Sequence, residues 1–117
     1  MPKTINKQNG SIIIEDQILA TIAGISAMES YGIVGMASKS TTEDIIQLLK
    51  MDNFTKGIEV STQDEDLLIR LHVIIEYGVR ISTVGQNVID QVKFNIKSLT
   101  GLDVDKIEVL VEDIRMD

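Results

Sequence analysis

The stretch LLIRLHVIIEY, residues 67–77, limits the possible folds of this 117-residue chain more than any other segment. Hydrophobic residues occupy every second position, and successive side chains of a β-strand point to opposite sides of the sheet. The alternation therefore predicts a long strand with one buried face, which we expect at the centre of a sheet. Its inward positions are Leu67, Ile69, Leu71, Val73, Ile75 and Tyr77, and its outward positions are Leu68, Arg70, His72, Ile74 and Glu76.

Shorter periodic segments on either side of this strand define the expected fold class. They predict strands at 10–14, 33–38, 58–63 and 104–114, and helices at 15–30, 40–51 and 82–100. An acidic turn at 64–66 joins the third and fourth strands into a hairpin. The order βαβαββαβ predicts one domain over residues 1–117 with an α+β fold, a two-layer sandwich in which a mixed β-sheet carries the helices on one face.

Apolar faces are expected on both the first and the longest helix. In the first helix a stripe of large residues runs beside a strip of small residues, and the small strip indicates close approach to a sheet or another helix. The large stripe is Ile18, Ile22, Ile25 and Met28, and the small strip is Ala20, Ala23, Gly24 and Ala27. The longest helix carries Val84, Val88, Val92 and Leu99, joined by Ile89 and Ile96. In the last strand Ile107, Val109 and Val111 are expected inward, and Glu108, Leu110 and Glu112 outward.

The charge balance argues against a nucleic-acid-binding protein. The net charge is −7, with −2 on residues 1–60 and −5 on residues 61–117, and aromatic residues make up 3% of the chain. Nucleic-acid affinity depends on basic contacts to phosphate and on aromatic side chains that stack on bases, and neither is concentrated here. With no cysteine, no signal peptide and no apolar span, we expect a cytoplasmic protein that does not itself insert into a membrane.

A possible phosphate-binding loop lies in the stretch YGIVGMASKSTTED, residues 31–44. A P-loop places Gly, four residues, then Gly-Lys-Ser/Thr, whereas Gly32 and Gly35 are three apart and Lys39 lies four residues beyond. The run from Ser40 to Glu43 instead has the spacing of a capping box at a helix start. We therefore favour a strand followed by a capped helix, and we keep a nucleotide-handling protein that uses Lys39 as the alternative.

His72 is the one histidine of the sequence. A His–Glu pair in a cleft can perform acid–base chemistry, but in the middle of a strand a histidine more often makes polar pairs across strands. We expect its partners among Arg70, Glu76, Glu108 and Glu112. The acidic clusters at 64–66 and 103–105 lack the spacing of a calcium loop. The sequence therefore gives no catalytic, cofactor-binding or metal-binding residues to propose.

The outward face of the sheet is the candidate for binding a protein partner. Leu68, Ile74, Leu110 and Ile114 are apolar residues on a side that no predicted helix covers. An apolar patch interrupted by charges often marks an interface, although scattered apolar surface residues are also normal. The candidate partner-binding residues are Arg70, His72, Ile74, Glu76 and Leu110.

Four segments together resemble the alkaline shock protein family of Gram-positive bacteria, also known as Gls-type general stress proteins. They are GSIIIEDQILATIAGISAMESYGIVGMASKS at 10–40, NFTKGIEV at 53–60, VIIEYGVRISTVGQNVIDQVK at 73–93 and TGLDVDKIEVLVEDIR at 100–115. The similarity covers nearly the whole chain and points to the short YloU-like branch. Tyr77-Gly78 before the valine-rich helix and Gly101-Leu102 before the last strand are its most specific pieces, and they match as structural positions. Glu15 departs from the small capping residue frequent in the family.

The resemblance implies a non-enzymatic cytosolic interaction or scaffold protein in cell-envelope stress or lipid homeostasis. Some members are held near the membrane by a small membrane-anchored partner, and short members are often encoded beside a dihydroxyacetone-kinase-like (fatty acid kinase) protein. The expected partners are therefore a protein partner or a second copy of the chain, a membrane-anchored protein, or that kinase-like protein. The alternative function is a regulatory partner of such a lipid-metabolic enzyme.

Overall fold

The structure is a computed structural model that describes residues 3–37, 57–63 and 65–116. Its elements are β1 (Lys3–Lys7), β2 (Gly10–Ile14), α1 (Asp16–Met28), β3 (Ile33–Met36), β4 (Ile58–Gln63), β5 (Asp66–Glu76), α2 (Ile81–Thr100) and β6 (Lys106–Arg115). The expected helix at 40–51, its capping box and Lys39 lie outside the described residues.

The long alternating segment forms the central strand, as predicted. β5 pairs in parallel with β6 along one edge and antiparallel with β3 and β4 along the other. Its inward side chains from Leu67 to Ile75 are buried, while the alternate outward ones are half-buried. Both described helices lie over the same face of this mixed sheet, which confirms the α+β class.

β3 and β4 share one edge of β5, where they follow each other like two halves of a single strand. The backbone N–H of Ala37 donates to the His72 carbonyl at 2.8 Å, and the His72 N–H donates to the Gly57 carbonyl at 2.8 Å. Gly57 has φ of 75°, and a Cβ there would lie 2.2 Å from the Ala37 carbonyl oxygen. Only glycine fits this left-handed position against a neighbouring backbone.

The first helix buries its small-residue strip, as predicted, and leaves part of its stripe of large residues exposed. The small strip faces the sheet together with Leu19, whereas Ile18 is 50% and Met28 41% exposed. Small residues let a helix backbone approach the sheet closely, and this leaves the larger isoleucines at the side of the helix. In α2 the stripe Val84, Val88, Val92 and Ile96 is buried as expected, but Leu99 in the last turn is exposed.

Two further differences arise at the strand ends. Tyr77 was expected inward but lies after the end of β5 and is exposed. In β6 the pairing with β5 shifts between Val73 and Ile74, so that Ile114 lies opposite the inward residue Ile75. Ile114 therefore does not join the outward face, because this bulge inserts one residue and reverses the alternation beyond it. Val111, expected inward, lies next to the shift and remains partly exposed.

The hairpin at the start of the chain contains a strand that was not predicted. β1 pairs antiparallel with β2, with Ile5 opposite Ile12, and the two form a sheet separate from the four-stranded one. The sequence of β1, KTINK, has a single hydrophobic residue and therefore gives no alternation signal. Near its base, the Lys3 ammonium donates to the Glu65 carbonyl at 2.6 Å.

Candidate functional site

The candidate site is the open face of the four-stranded sheet, the side on which neither described helix lies. Arg70, His72 and Ile74 project there because they alternate with the buried residues of β5. Leu110 of β6 is registered opposite His72, and Gly35 of β3 lies opposite Ile74. β5 and β6 thus bring polar and apolar side chains together on one surface, next to a position of β3 that carries no side chain.

His72 is held between two carboxylates that come from the two neighbouring strands. Its Nε2 lies 2.7 Å from Glu59 Oε2 on β4, and its Nδ1 lies 2.6 Å from Glu112 Oε1 on β6. An ionised carboxylate only accepts hydrogen bonds, so both ring nitrogens must carry protons to satisfy both contacts. The geometry therefore fits an imidazolium cation that ties β4, β5 and β6 together.

The environment of His72 favours this charged form. Burial by itself lowers the pKa of the imidazole, but the hydrogen bonds to Glu112 and Glu59, together with the negative charges of both, outweigh it. The pKa of His72 is therefore raised above its usual 6.5.

Arg70 extends the same network along the strands. Its Nε lies 3.0 Å from Glu108 Oε1 as an ion pair without a well-directed hydrogen bond, and its Nη1 lies 4.0 Å from Glu59 Oε2. Lys106 approaches the second oxygen of Glu108 at 3.6 Å. We call Glu59, Arg70, His72, Glu108 and Glu112 the charge ladder. Its carboxylates are 38–46% exposed, so each pair adds little to stability, and the ladder mainly orients these side chains.

The ladder is not arranged for catalysis or metal binding. The two nitrogens of His72 point to opposite carboxylates, so a single ion cannot replace both protons. Within the described part of the chain, no group of three or more His, Cys, Asp or Glu side chains is placed to hold a metal. Neither ring nitrogen is free to activate a nucleophile while both carboxylates are bound.

Most of the candidate residues come together, and one important residue was missed. Arg70, His72, Ile74 and Leu110 share the open face, whereas Glu76 is exposed at the end of β5. Glu59 was not among the expected partners of His72. The signal was present, because counting back from the turn between Gln63 and Asp66 places Glu59 opposite Arg70.

The structural positions lie at the two ends of α2. Tyr77 and Gly78 follow β5, and Gly78 has φ of 98°. Gly101 caps the helix in the left-handed conformation, with φ of 81°, and its N–H donates to the Lys97 carbonyl at 2.9 Å. Leu102 then packs against the core. These residues shape turns, and none belongs to the charge ladder.

Comparisons with known proteins give related sequences over nearly the whole chain. An uncharacterized protein of Streptococcus pyogenes serotype M6, Spy1614, is 40% identical over 117 residues, covering 99% of this chain and 97% of the relative. The uncharacterized protein YloU of Bacillus subtilis strain 168 is 37% identical, covering 92% and 90%. A stress response regulator gls24 homolog of Streptococcus pyogenes serotype M3 is 22% identical, covering 91% of this chain and 59% of the relative.

No solved structure matches the chain. Neither described helix is long and apolar enough to cross a membrane. The profile of the alkaline shock protein 23 family, described as having a cell envelope-related function, matches residues 4–116, and neither that description nor the relatives' names assign a reaction. The chain therefore belongs to this family of alkaline shock and Gls24-type stress proteins.

Proposed function

We propose that the chain is a non-enzymatic cytosolic interaction protein in cell-envelope homeostasis, and that it binds a protein partner through the open face of the sheet. The observation that carries the proposal is the charge ladder beside Ile74 and Leu110, on a face that neither described helix covers. The family's cell envelope-related description supports the biological setting.

The chemistry of this face suits a protein more than a small molecule. Apolar side chains from two strands lie next to charges that already have partners. A protein partner can therefore cover the apolar residues without burying an unpaired charge. The fixed ladder then supplies specificity, because only a partner with complementary polar groups can replace the water around the carboxylates.

The test replaces Ile74 with glutamate. Ile74→Glu adds a carboxylate to the open face opposite Asp113 of β6, and it leaves the buried side of β5 unchanged. The partner is first identified by co-purification with the tagged wild-type chain, and affinity is then measured with the two purified proteins. We expect Ile74→Glu to weaken binding at least tenfold, the range found when a central interface residue is lost.

Phe94→Glu is the matched control, since Phe94 is 67% exposed on α2 and far from the open face. It introduces the same charge and should leave the affinity unchanged. Circular dichroism must show that both variants are folded. Equal affinities for the wild type and Ile74→Glu would refute the open face as the binding surface.

A further inference from the structure

The β1–β2 hairpin exposes apolar residues on both of its faces. Ile12 is 49% and Ile13 60% exposed, and the two point to opposite sides of the ribbon. A two-stranded hairpin is at best marginally stable in water without a third strand or a packing surface. This hairpin therefore needs a covering surface that the described residues of its own chain do not provide.

Charge restricts which surface can cover the hairpin. Residues 1–14 contain two lysines and no acidic residue, giving +2, whereas the rest of the chain carries −9. The hairpin is thus a basic segment on a strongly acidic protein. Its natural complement is an apolar surface bordered by carboxylates, and the protein itself presents one.

That surface is the isoleucine stripe of α1, defined here as Ile18, Ile22 and Ile25. Ile18 is 50% and Ile25 37% exposed, and Leu99 of α2, 72% exposed, continues the apolar area. A groove of about 270 Å³ between the two helices is lined by Ile22, Ile25 and Leu99, with Glu29 at its edge. Residues 15–30 contain three acidic residues and no lysine or arginine.

The hairpin cannot reach the stripe of its own copy. Ile14 packs against the core, and Glu15 is the one residue between β2 and α1, so no linker allows the ribbon to turn back along the helix. Between copies, a strand of the hairpin is long enough to cover the whole stripe. A five-residue strand spans about 17 Å, and the stripe from Ile18 to Ile25 extends about 10 Å along the helix.

We propose that the hairpin of one copy docks on the isoleucine stripe of a second copy. Ile12 enters the apolar groove, and Lys7 approaches the acids that border α1, while Lys3 remains bonded to the Glu65 carbonyl of its own chain. The contact joins two different surfaces, so it is directional, and it either closes into a small assembly or continues from copy to copy. It uses the helix side of the molecule and does not rest on the function proposed for the open face.

The first experiment measures mass against protein concentration by sedimentation equilibrium. We expect the wild type to associate, and we expect Ile12→Asp and Ile25→Lys each to move the association midpoint at least tenfold higher. Ile12→Asp places a carboxylate against the acidic border, and Ile25→Lys places an ammonium against the basic hairpin. Phe94→Asp and Phe94→Lys carry the same charges at an exposed site outside the groove and should associate like the wild type.

The second experiment mixes the two variants. Ile12→Asp keeps an intact stripe and Ile25→Lys keeps an intact hairpin, so one productive contact forms between them and none within either population. We expect the mixture to give a two-subunit complex that neither variant forms alone. Such complementation identifies a hairpin-to-stripe contact and does not occur for an interface between identical surfaces.

Cross-linking locates the contact directly. The chain has no cysteine, so Ser11→Cys gives a single attachment point on the hairpin for a photoreactive maleimide. We expect cross-links to peptides from residues 15–30 of another copy, recognised by mixing isotope-labelled and unlabelled protein. A wild type that stays monomeric up to millimolar concentration would overturn the proposal. So would unchanged association of both variants, or an Ile25→Lys variant that loses thermal stability without any change in mass, because the stripe would then be covered within its own chain.

Discussion

At the scale of single residues, His72 joins the sheet in two independent ways. Its backbone bonds to both Ala37 and Gly57, at the point where β5 changes partner from β4 to β3. Its ring bonds to Glu59 and Glu112, one on each side. The same residue therefore connects the interrupted edge with β6, and its protonation state decides whether both ring contacts can exist.

The raised pKa of His72 predicts how stability depends on pH. A group whose pKa is higher in the folded than in the unfolded chain stabilises the fold fully below the unfolded pKa, here close to 6.5. This contribution is lost as the pH rises through the folded pKa. We therefore expect the difference in unfolding free energy between wild type and His72→Gln to be largest below the unfolded pKa. As the pH rises through the folded pKa, this difference should decrease by on the order of 1 kcal/mol or less, since the carboxylates are partly exposed.

Two measurements check this prediction. Urea denaturation of both proteins across a pH series gives the stability difference, and NMR titration follows the imidazole directly, without ambiguity because the sequence has one histidine. Glu59→Gln and Glu112→Gln should each bring the pKa of His72 down. A titration midpoint at or below 6.5 in the wild type would contradict the imidazolium geometry.

Gly57 gives a second prediction at the residue scale. An alanine Cβ at this position would lie 2.2 Å from the Ala37 carbonyl oxygen and 3.0 Å from the His72 carbonyl oxygen. Gly101 is the matched control, since it also has a positive φ but its Cβ would meet nothing within 4 Å. We expect Gly101→Ala to cost about 1–2 kcal/mol, the strain of a left-handed non-glycine residue, and Gly57→Ala to cost clearly more. Chemical denaturation of both variants measures the loss of unfolding free energy. Equal losses would show that the backbone around Gly57 shifts easily to accommodate the added Cβ.

At the scale of secondary structure, β5 and α2 supply most of the largest fully buried side chains of the core. Hydrogen exchange should therefore find the amides of β5 from Leu67 to Ile75 and of α2 from Val84 to Ile96 to be the slowest in the molecule. Those of β1 and β2 should exchange fastest among the strands in dilute protein, because the hairpin is exposed on both faces. Slow exchange in the hairpin together with fast exchange in β5 would invert the expected order and refute this view of the core.

How far the sequence predicts each element depends on what competes with its hydrophobic pattern. β5 and α2 are long and regular, so their periodicity alone finds them and their buried faces. In α1 the small-residue strip predicts the close approach to the sheet, but the isoleucines beside it give no signal of which of them remain exposed. The β6 bulge arises from its pairing with β5, so no local signal reveals which face of the sheet Ile114 lies on. The first strand is defined by its pairing with β2 and not by a hydrophobic pattern of its own.

At the scale of the whole molecule, the two surfaces proposed for association are different. The open face of the sheet offers a flat, mixed surface with the charge ladder, and the helix side offers the isoleucine stripe. They lie on opposite sides of the two-layer fold. The two proposed contacts therefore do not exclude each other, and variants at Ile74 and Ile25 test them separately.

The interrupted edge has a consequence for how this fold tolerates change during evolution. The backbones of Ala37 and Gly57 are both hydrogen-bonded to the backbone of His72, so β3 and β4 meet at this residue of β5. Both attachments are made by backbone atoms, so the side chains at positions 37 and 72 can change without removing them, whereas any Cβ at position 57 meets the Ala37 carbonyl oxygen. Position 57 is thus the place at this junction where relatives can least afford to replace glycine, while the two positions hydrogen-bonded across it accept other side chains.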